Sequence, residues 1–387
     1  MNVYLFGYFD IPPNMAPVRR SVCLVKGLVA SGVDVELDII HSVCKEKPIP
    51  MKGEYDGFRY NFVNGEKHYS NGVQLRLDLK YRDLQGAVQY IKRNVVDGDI
   101  VYIYSGNSND IKSLTDAAHK KNAKAVLELV EIPYYSNSIL AKLKRWYQEK
   151  FVYPKLDGFS CISTALLDYA KCHASKTAKF INTPILVEAN NQYVGEPEFE
   201  CPYIIHTGTM QERKDGISAI LKAFSLIKKT DTTGCKLVFA GPQSTKNSSY
   251  VPMMKELGIL DDVVLLGMIK DPRRLTTLQR YARMSIVYRF DNIQTRYGFS
   301  TKMGEVLMSG VPLITTPIGG QSDYLIDRQN AFLVEPGNVE QLASTISFIL
   351  DNPKQAGFVG RSGKKMAETI FNPIVQGANI SKFFRGL

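Results

Sequence analysis

With 387 residues, 44% apolar and 22% charged, the chain can bury two cores at roughly 150 residues per domain. The lack of any apolar run of about 18 residues argues against a membrane-spanning helix. A formal charge of +10 attracts anions, whether nucleotide phosphates, nucleic acid or an acidic bilayer, without choosing among them.

Six cysteines (Cys23, Cys44, Cys161, Cys172, Cys201 and Cys235) form no Cys-x-x-Cys pair and have no histidine at zinc spacing. That sets aside a disulfide framework and a structural metal, and leaves buried, reduced thiols as the expectation. The N-terminus, MNVYLFGYFDIPP, carries no basic leader with a cleavage site, so a cytoplasmic chain is expected, soluble or peripheral to a membrane.

Short β-branched or aromatic runs alternate with amphipathic stretches, the pattern of a doubly wound α/β protein with parallel sheets. The first half predicts strands at Val3–Phe6, Val35–Ile40, Ile100–Tyr104, Ala125–Leu129, Gly158–Ile162 and Ala178–Ile181. Glu188–Pro202 is acidic, proline-bearing and aperiodic, and reads as a linker. Alternation then restarts, with strands at Tyr203–Thr207, Lys236–Ala240, Val263–Leu266, Met284–Val287, Pro312–Thr315 and Ala331–Val334. Helices fit at Ile217–Lys229 and Val339–Leu350, and the domains become 1–195 and 200–371.

In the first half, Gly7–Arg20 joins strand to helix without a Gly-x-Gly-x-x-Gly, which disfavours a dinucleotide site. Gly7 suits a tight turn, while Arg19 is either an anion contact or an exposed helix charge. Asp97-Gly98-Asp99 precedes a strand and reads as a turn; His119 falls in a predicted helix, on a solvated face. Ser138–Lys155 mixes Lys142, Lys144, Arg145, Lys150 and Lys155 with Trp146, Tyr147, Phe151 and Tyr153. Such a stretch suits a headgroup interface, or else a helix whose aromatics pack on the first sheet.

In the second half, His206–Gly216 leaves a strand through Gly208 and carries Arg213 and Lys214 into a helix. These cations suit a diphosphate, or are incidental charges of a surface loop. Across Tyr297–Pro312, Ser300 or Thr301 can cap a short helix that stops before Gly310. Its N-terminus favours an anion lying over Gly298–Thr301. Lys302 adds a cation there, and Glu305, about one turn on, suits the two hydroxyls of a ribose; alternatively the two form a solvated i, i+3 pair.

Residues 297–337 resemble the donor-site block of the family-four retaining glycosyltransferases of bacterial polysaccharide and glycan assembly. Gly298-Phe299, Glu305, Gly310-x-Pro312, Gly319-Gly320 and Phe332-x-x-x-Pro336-Gly337 stand in the family's order and spacing. Tyr297 occupies the place of the family's first glutamate, and Ser300-Thr301-Lys302-Met303-Gly304-Glu305 is similar to a branch with a Ser/Pro-Thr-Lys-x-x-Glu pattern.

The resemblance implies an α/β GT-B fold, two Rossmann-like domains facing a cleft, with a tail of about 372–387 packed back on the first. It implies a hexosyltransferase that retains anomeric configuration and needs neither metal nor other cofactor. The donor would be a UDP- or GDP-linked sugar, and the acceptor a glycan, a lipid-linked molecule or a small molecule. Glu305 would hold the ribose, and Arg213 and Lys214 the pyrophosphate, supporting catalysis. Gly208, Gly298, Phe299, Ser300, Thr301 and Lys302 would line the phosphates, with Met268 and Ile269 at the nucleobase. Gly7 and Arg19 would lie across the cleft; Glu131 or Glu128, at the end of a predicted strand, would open into it to polarise an acceptor hydroxyl or orient the sugar, or else be a carboxylate satisfied locally. The basic, aromatic stretch is compatible with peripheral attachment at the inner face of a membrane. A nucleotide-sugar 2-epimerase or phosphorylase on the same scaffold is one rival. A basic nucleic-acid-binding protein is another, which no recognition motif supports, so no nucleic acid is expected as partner.

Overall fold

The computed structural model describes residues 1–9, 16–40, 50–65, 82–188, 195–229, 233–242 and 250–387. Cys44, residues 10–15 of the Gly7–Arg20 loop and residues 189–194 of the expected linker lie outside the described residues. The chain divides into two compact units, Met1–Glu188 together with Asn372–Leu387, and Ala189–Phe371.

The first unit holds β1 (Asn2–Gly7), β2 (Asp34–Ile39), β3 (Lys52–Tyr55), β4 (Phe58–Phe62), β5 (Ile100–Tyr104), β6 (Lys124–Leu129), β7 (Gly158–Cys161) and β8 (Lys179–Asn182). They form one sheet in the order β3-β4-β2-β1-β5-β6-β7-β8. Its central strands are buried along nearly their whole length, as parallel strands covered on both faces must be. One edge departs from the all-parallel expectation, since β3 runs antiparallel to β4. Asp56 and Gly57 join them with φ of 48° and 80°, the left-handed pair that a two-residue hairpin turn requires.

Under this sheet Arg20 is 4% exposed. Its Nε donates to Glu128 Oε1 at 2.7 Å, Nη1 to the Pro184 carbonyl at 2.6 Å and Nη2 to the Thr183 carbonyl at 2.8 Å. Glu128 also accepts the Tyr102 hydroxyl. The C-terminal helix Pro373–Arg385 starts from Asn372, whose side chain accepts the Ile374 amide. It closes onto the Ala16–Ala30 helix where glycine meets glycine. A Cβ on Gly27 would lie 2.1 Å from the Pro373 carbonyl oxygen and 3.1 Å from Gly377 Cα.

The second unit holds β9 (Tyr203–Thr207), β10 (Lys236–Ala240), β11 (Val263–Gly267), β12 (Met284–Val287), β13 (Leu313–Thr315) and β14 (Phe332–Leu333), in the order β11-β10-β9-β12-β13-β14. Every pairing in it is parallel. The expected stripe of Ile217, Ile220, Leu221, Phe224 and Ile227 is buried on the Ile217–Lys228 helix. It shares a core with Leu342, Ile346 and Ile349 of the Val339–Asp351 helix. Strand order reverses at β1/β5 and at β9/β12, and a doubly wound sheet binds its ligands beyond the carboxyl ends of the strands at such a reversal.

Removing Glu128 would strand the Arg20 charge in the interior. Glu128→Ala should cost the first unit about 3–5 kcal/mol. The double replacement Arg20→Leu/Glu128→Leu should cost clearly less than the two single losses combined. Urea unfolding read on that unit checks both; additive losses would mean the pair is not coupled.

Candidate functional site

At the β9/β12 reversal the sequence forces backbone and cations together. β9 ends at Thr207, and Gly208 follows with φ of 100°, a conformation that suits glycine alone. A Cβ there would sit 2.2 Å from Lys302 Cε, while one on Gly241, past the end of β10, would sit 2.1 Å from the Gly208 carbonyl oxygen. Two glycines thus let two strand ends close up and leave room for the Lys302 stem.

Lys302 stands in the first turn of the helix Thr301–Ser309, which Gly310 ends in the left-handed conformation. Its ammonium meets Asp215 Oδ1 at 2.8 Å, with the lysine side chain 19% and the aspartate 5% exposed. Burial lowers the Lys302 pKa and Asp215 opposes that shift, while the nearby charges of Lys214 and Arg289 push it further down. Like charges therefore gather where the helix begins. Ser300 makes no side-chain cap to the helix, so its first amides are offered to another acceptor.

The loops around this point brace one another. Asn292 caps the short helix Ile293–Tyr297 through Gln294 and Thr295, and its Nδ2 donates to the Arg213 carbonyl at 2.9 Å. Gly320 donates its amide to the Gly298 carbonyl at 3.1 Å. Gly319 must lack a Cβ, which would lie 2.3 Å from that same carbonyl oxygen. Buried Arg289 follows β12, its guanidinium 3.8 Å from where a Gly298 Cβ would stand.

His206, fully buried on β9, hydrogen-bonds the Ile286 carbonyl through Nδ1 at 2.9 Å. Burial, then repulsion from Lys302, lowers its pKa to about 4. The imidazole is neutral at pH 7 and adds no charge to the site.

Of the sequence candidates, Gly208, Lys214, Gly298, Ser300, Thr301 and Lys302 gather here. Glu305 is half-buried on the same helix as Lys302, and Arg213 is exposed beside Lys214. Lys302 is held by Asp215, an acid from another segment that neither reading of its helix named. The Phe299 ring is spent on packing, stacked on Tyr324 and edge-on to Phe371, so only its backbone is available to a ligand. Met268 is exposed and Ile269 packs half-buried on a smaller core; both follow β11, two strands from β9.

In the first unit Glu131 is exposed just past β6 and Arg19 is exposed on its helix. Glu128 is bound into the Arg20 network and is unavailable to a substrate. Gly7 is absent from the residues of positive φ; a Cβ on it would meet the Phe9 ring at 2.1 Å, so clearance for that ring explains it rather than a tight turn. Asp99 accepts the Asn2 and Val96 amides, which commits it to the backbone. His119 pairs with Asp157 at 2.8 Å. Cys172 is exposed and Cys201 intermediate, against the expectation of buried thiols.

Sequence reading passed over Asp215, Arg289 and Asp110. Asp215 looks like a turn residue before Gly216, whereas Arg289 is flagged by its place at the end of a strand beside a reversal. Asp110 lies past β5 in the other unit, accepts the Ser105 hydroxyl at 2.9 Å, and is held above the usual carboxylate range by burial.

Residues 201–352 match the family described as glycosyl transferases group 1. The capsular polysaccharide biosynthesis glycosyltransferase CapM of Staphylococcus aureus is 26% identical over 157 residues, 41% of this chain and 39% of CapM. The chain thus aligns with well under half the length of that relative. The fold is similar to sucrose-phosphate synthase from Thermosynechococcus elongatus, with a TM-score of 0.74 and 17% identity over 100% of this chain and 98% of that one. It is also similar to Anabaena HepE in complex with UDP, with a TM-score of 0.71 and 13% identity over 100% of both chains. These likenesses show the GT-B fold.

Because His206 has a lower pKa folded than unfolded, the unfolded chain binds the extra proton between about pH 6.5 and 4. Stability of the second unit should therefore fall as pH drops through that window, by about 3 kcal/mol in all. His206→Asn keeps a donor toward Ile286 and should remove this acid limb. Urea unfolding at stepped pH tests it; parallel curves for the two proteins would refute the assignment.

Proposed function

We propose that this chain, whose residues 201–352 form a glycosyl transferases group 1 domain, moves a hexose from a nucleoside diphosphate to an acceptor hydroxyl with retention of anomeric configuration. The observation that carries the reading is the crowding of Lys214, Arg289 and Lys302 at the N-terminus of the Thr301–Ser309 helix. A buried lysine repelled by neighbouring cations is stabilised by an arriving diphosphate, which also takes up the amides of Phe299–Thr301, the Gly298 amide being held by the Gln294 carbonyl. Glu305, on the same helix, is assigned the ribose, and Met268 and Ile269 the nucleobase. Arg213 adds a forked donor to the phosphates.

In this reading the acceptor oxygen attacks the anomeric carbon on the face from which the diphosphate departs. The bond from that carbon to the phosphate oxygen breaks, and the acceptor proton passes to the diphosphate. Lys214, Arg213 and Lys302 stabilise the charge that develops on the leaving group. Glu131 and Arg19 are assigned to acceptor and phosphate. No metal is required, because the cations and amides do the work that a divalent ion would do. Tyr297, in place of a carboxylate, changes what the transferred sugar meets. UDP is the first donor base to try, since HepE, on the same fold, was solved with it. A cytoplasmic chain peripheral to the inner face of a membrane would suit a lipid-linked acceptor.

A thermal-shift screen of UDP, GDP and their sugar conjugates tests the reading; a ligand at 100 times its Kd should stabilise by about 2.7 kcal/mol. Glu305→Gln and Lys214→Ala should weaken nucleotide binding and leave the fold intact. Lys214→Ala should slow transfer roughly 10- to 1,000-fold, about 1.4–4 kcal/mol. Full donor affinity in either variant would clear that residue of its role, and no response to any nucleotide would end the proposal.

A further inference from the structure

We infer that the outward face of the helix Ile139–Tyr147, with the turn that follows it, docks into an anionic lipid bilayer. The inference gives the peripheral location proposed above a surface of its own. Its test needs no nucleotide, so it can fail while the donor reading stands.

The helix is anchored on one side only. Ala141 is 8% and Gln148 1% exposed, and Gln148 accepts the Ser108 hydroxyl at 2.7 Å and donates to the Tyr153 hydroxyl at 3.1 Å. Ile139, Leu140, Leu143, Trp146 and Tyr147 are 79%, 62%, 57%, 55% and 39% exposed. At roughly 100° per residue these five fall within an arc of about 120°, opposite Ala141 and Gln148. A helix of a water-facing surface turns its polar side outward; this one turns its apolar side outward.

The turn after it extends the patch. Gln148–Val152 is a π-turn, whose wider winding rotates the chain less per residue and brings Phe151 back toward the arc. Phe151, 46% exposed, packs edge-on against Trp146 and tilted against Tyr147, each with ring centroids 5.5 Å apart.

Charge decides which partner fits. Lys142 and Lys144, both exposed, fall about 40° beyond either edge of the arc, and exposed Lys150 follows in the π-turn. The one acid of the stretch, Glu149, is withheld on the inner side by the Tyr169 hydroxyl at 2.5 Å and Arg145 at 3.9 Å. An apolar arc edged by cations matches acyl chains below a layer of anionic headgroups. Beside it opens a cavity of about 390 Å³, lined by Asn107, Asn109 and Tyr134 together with Leu143, Lys144 and Tyr147 of the helix itself.

Trp146 is the only tryptophan of the chain, so its emission reports on this face alone. The whole protein should float with vesicles of phosphatidylcholine mixed with phosphatidylglycerol, with a blue-shifted Trp146 emission that brominated acyl chains quench. Leu143→Asp and Phe151→Asp should abolish flotation, and Lys142→Glu/Lys144→Glu should weaken it about tenfold or more. All should keep the wild-type melting temperature and nucleotide response. Absence of flotation, flotation without a blue shift, or wild-type binding by Leu143→Asp would overturn the inference. So would self-association that Leu143→Asp removes while vesicles remain unbound, which would assign the face to a second copy of the chain.

Discussion

A lysine ammonium taken largely out of water beside one aspartate is the constraint on which the second unit is built. Lys302 and Asp215 come from segments 87 residues apart, and their contact requires the β9 loop and the Thr301–Ser309 helix to be held in one arrangement. Gly208 must lack a side chain so that the lysine stem can pass, and Gly241 must lack one so that Gly208 can be where it is. His206 is neutral, because its burial and the charge of Lys302 outweigh the pull of Asp215 on an imidazolium. The two glycines and the neutral histidine are thus what placing cations around a helix N-terminus at the β9/β12 reversal requires.

The same physics has a different outcome in the first unit. There Arg20 and Glu128 saturate each other with two backbone carbonyls and a tyrosine hydroxyl, so the pair is closed and serves packing. Around Lys302 the charges do not close: cations repel one another, and the first amides of the helix lack a side-chain cap. A closed network specifies a core, whereas an open one invites a ligand. That contrast, more than any single residue, separates the Arg20–Glu128 pair from the pair proposed to receive the donor.

The doubly wound class was legible because buried parallel strands are written as unbroken β-branched runs. Tyr203–Thr207 and Lys236–Ala240 stand where the sequence predicts them. The β3–β4 hairpin escaped because its strands are short, although Asp56-Gly57 is the dipeptide that favours such a turn. At the site, local signals were readable: Gly208 at a strand end, Gly310 at a helix end, cations near both. Partnership was not, since spacing along one helix suggests Lys302 with Glu305, while the fold brings Asp215 to the lysine from far away in sequence. Arg20 next to Arg19 makes the same point, for nothing local says which of two adjacent arginines turns inward. The face of Ile139–Tyr147 was ambiguous for a related reason. Periodicity reports an apolar stripe but not whether protein lies against it.

The most direct measurement is a crystal structure of the protein soaked with UDP. The account predicts the two phosphates within hydrogen-bond reach of the Gly208 loop and the Phe299–Thr301 amides, with the Lys302 ammonium turned from Asp215 toward them or shared between the two. A nucleotide bound elsewhere, or phosphates remote from both loops with the Lys302–Asp215 pair undisturbed, would contradict it.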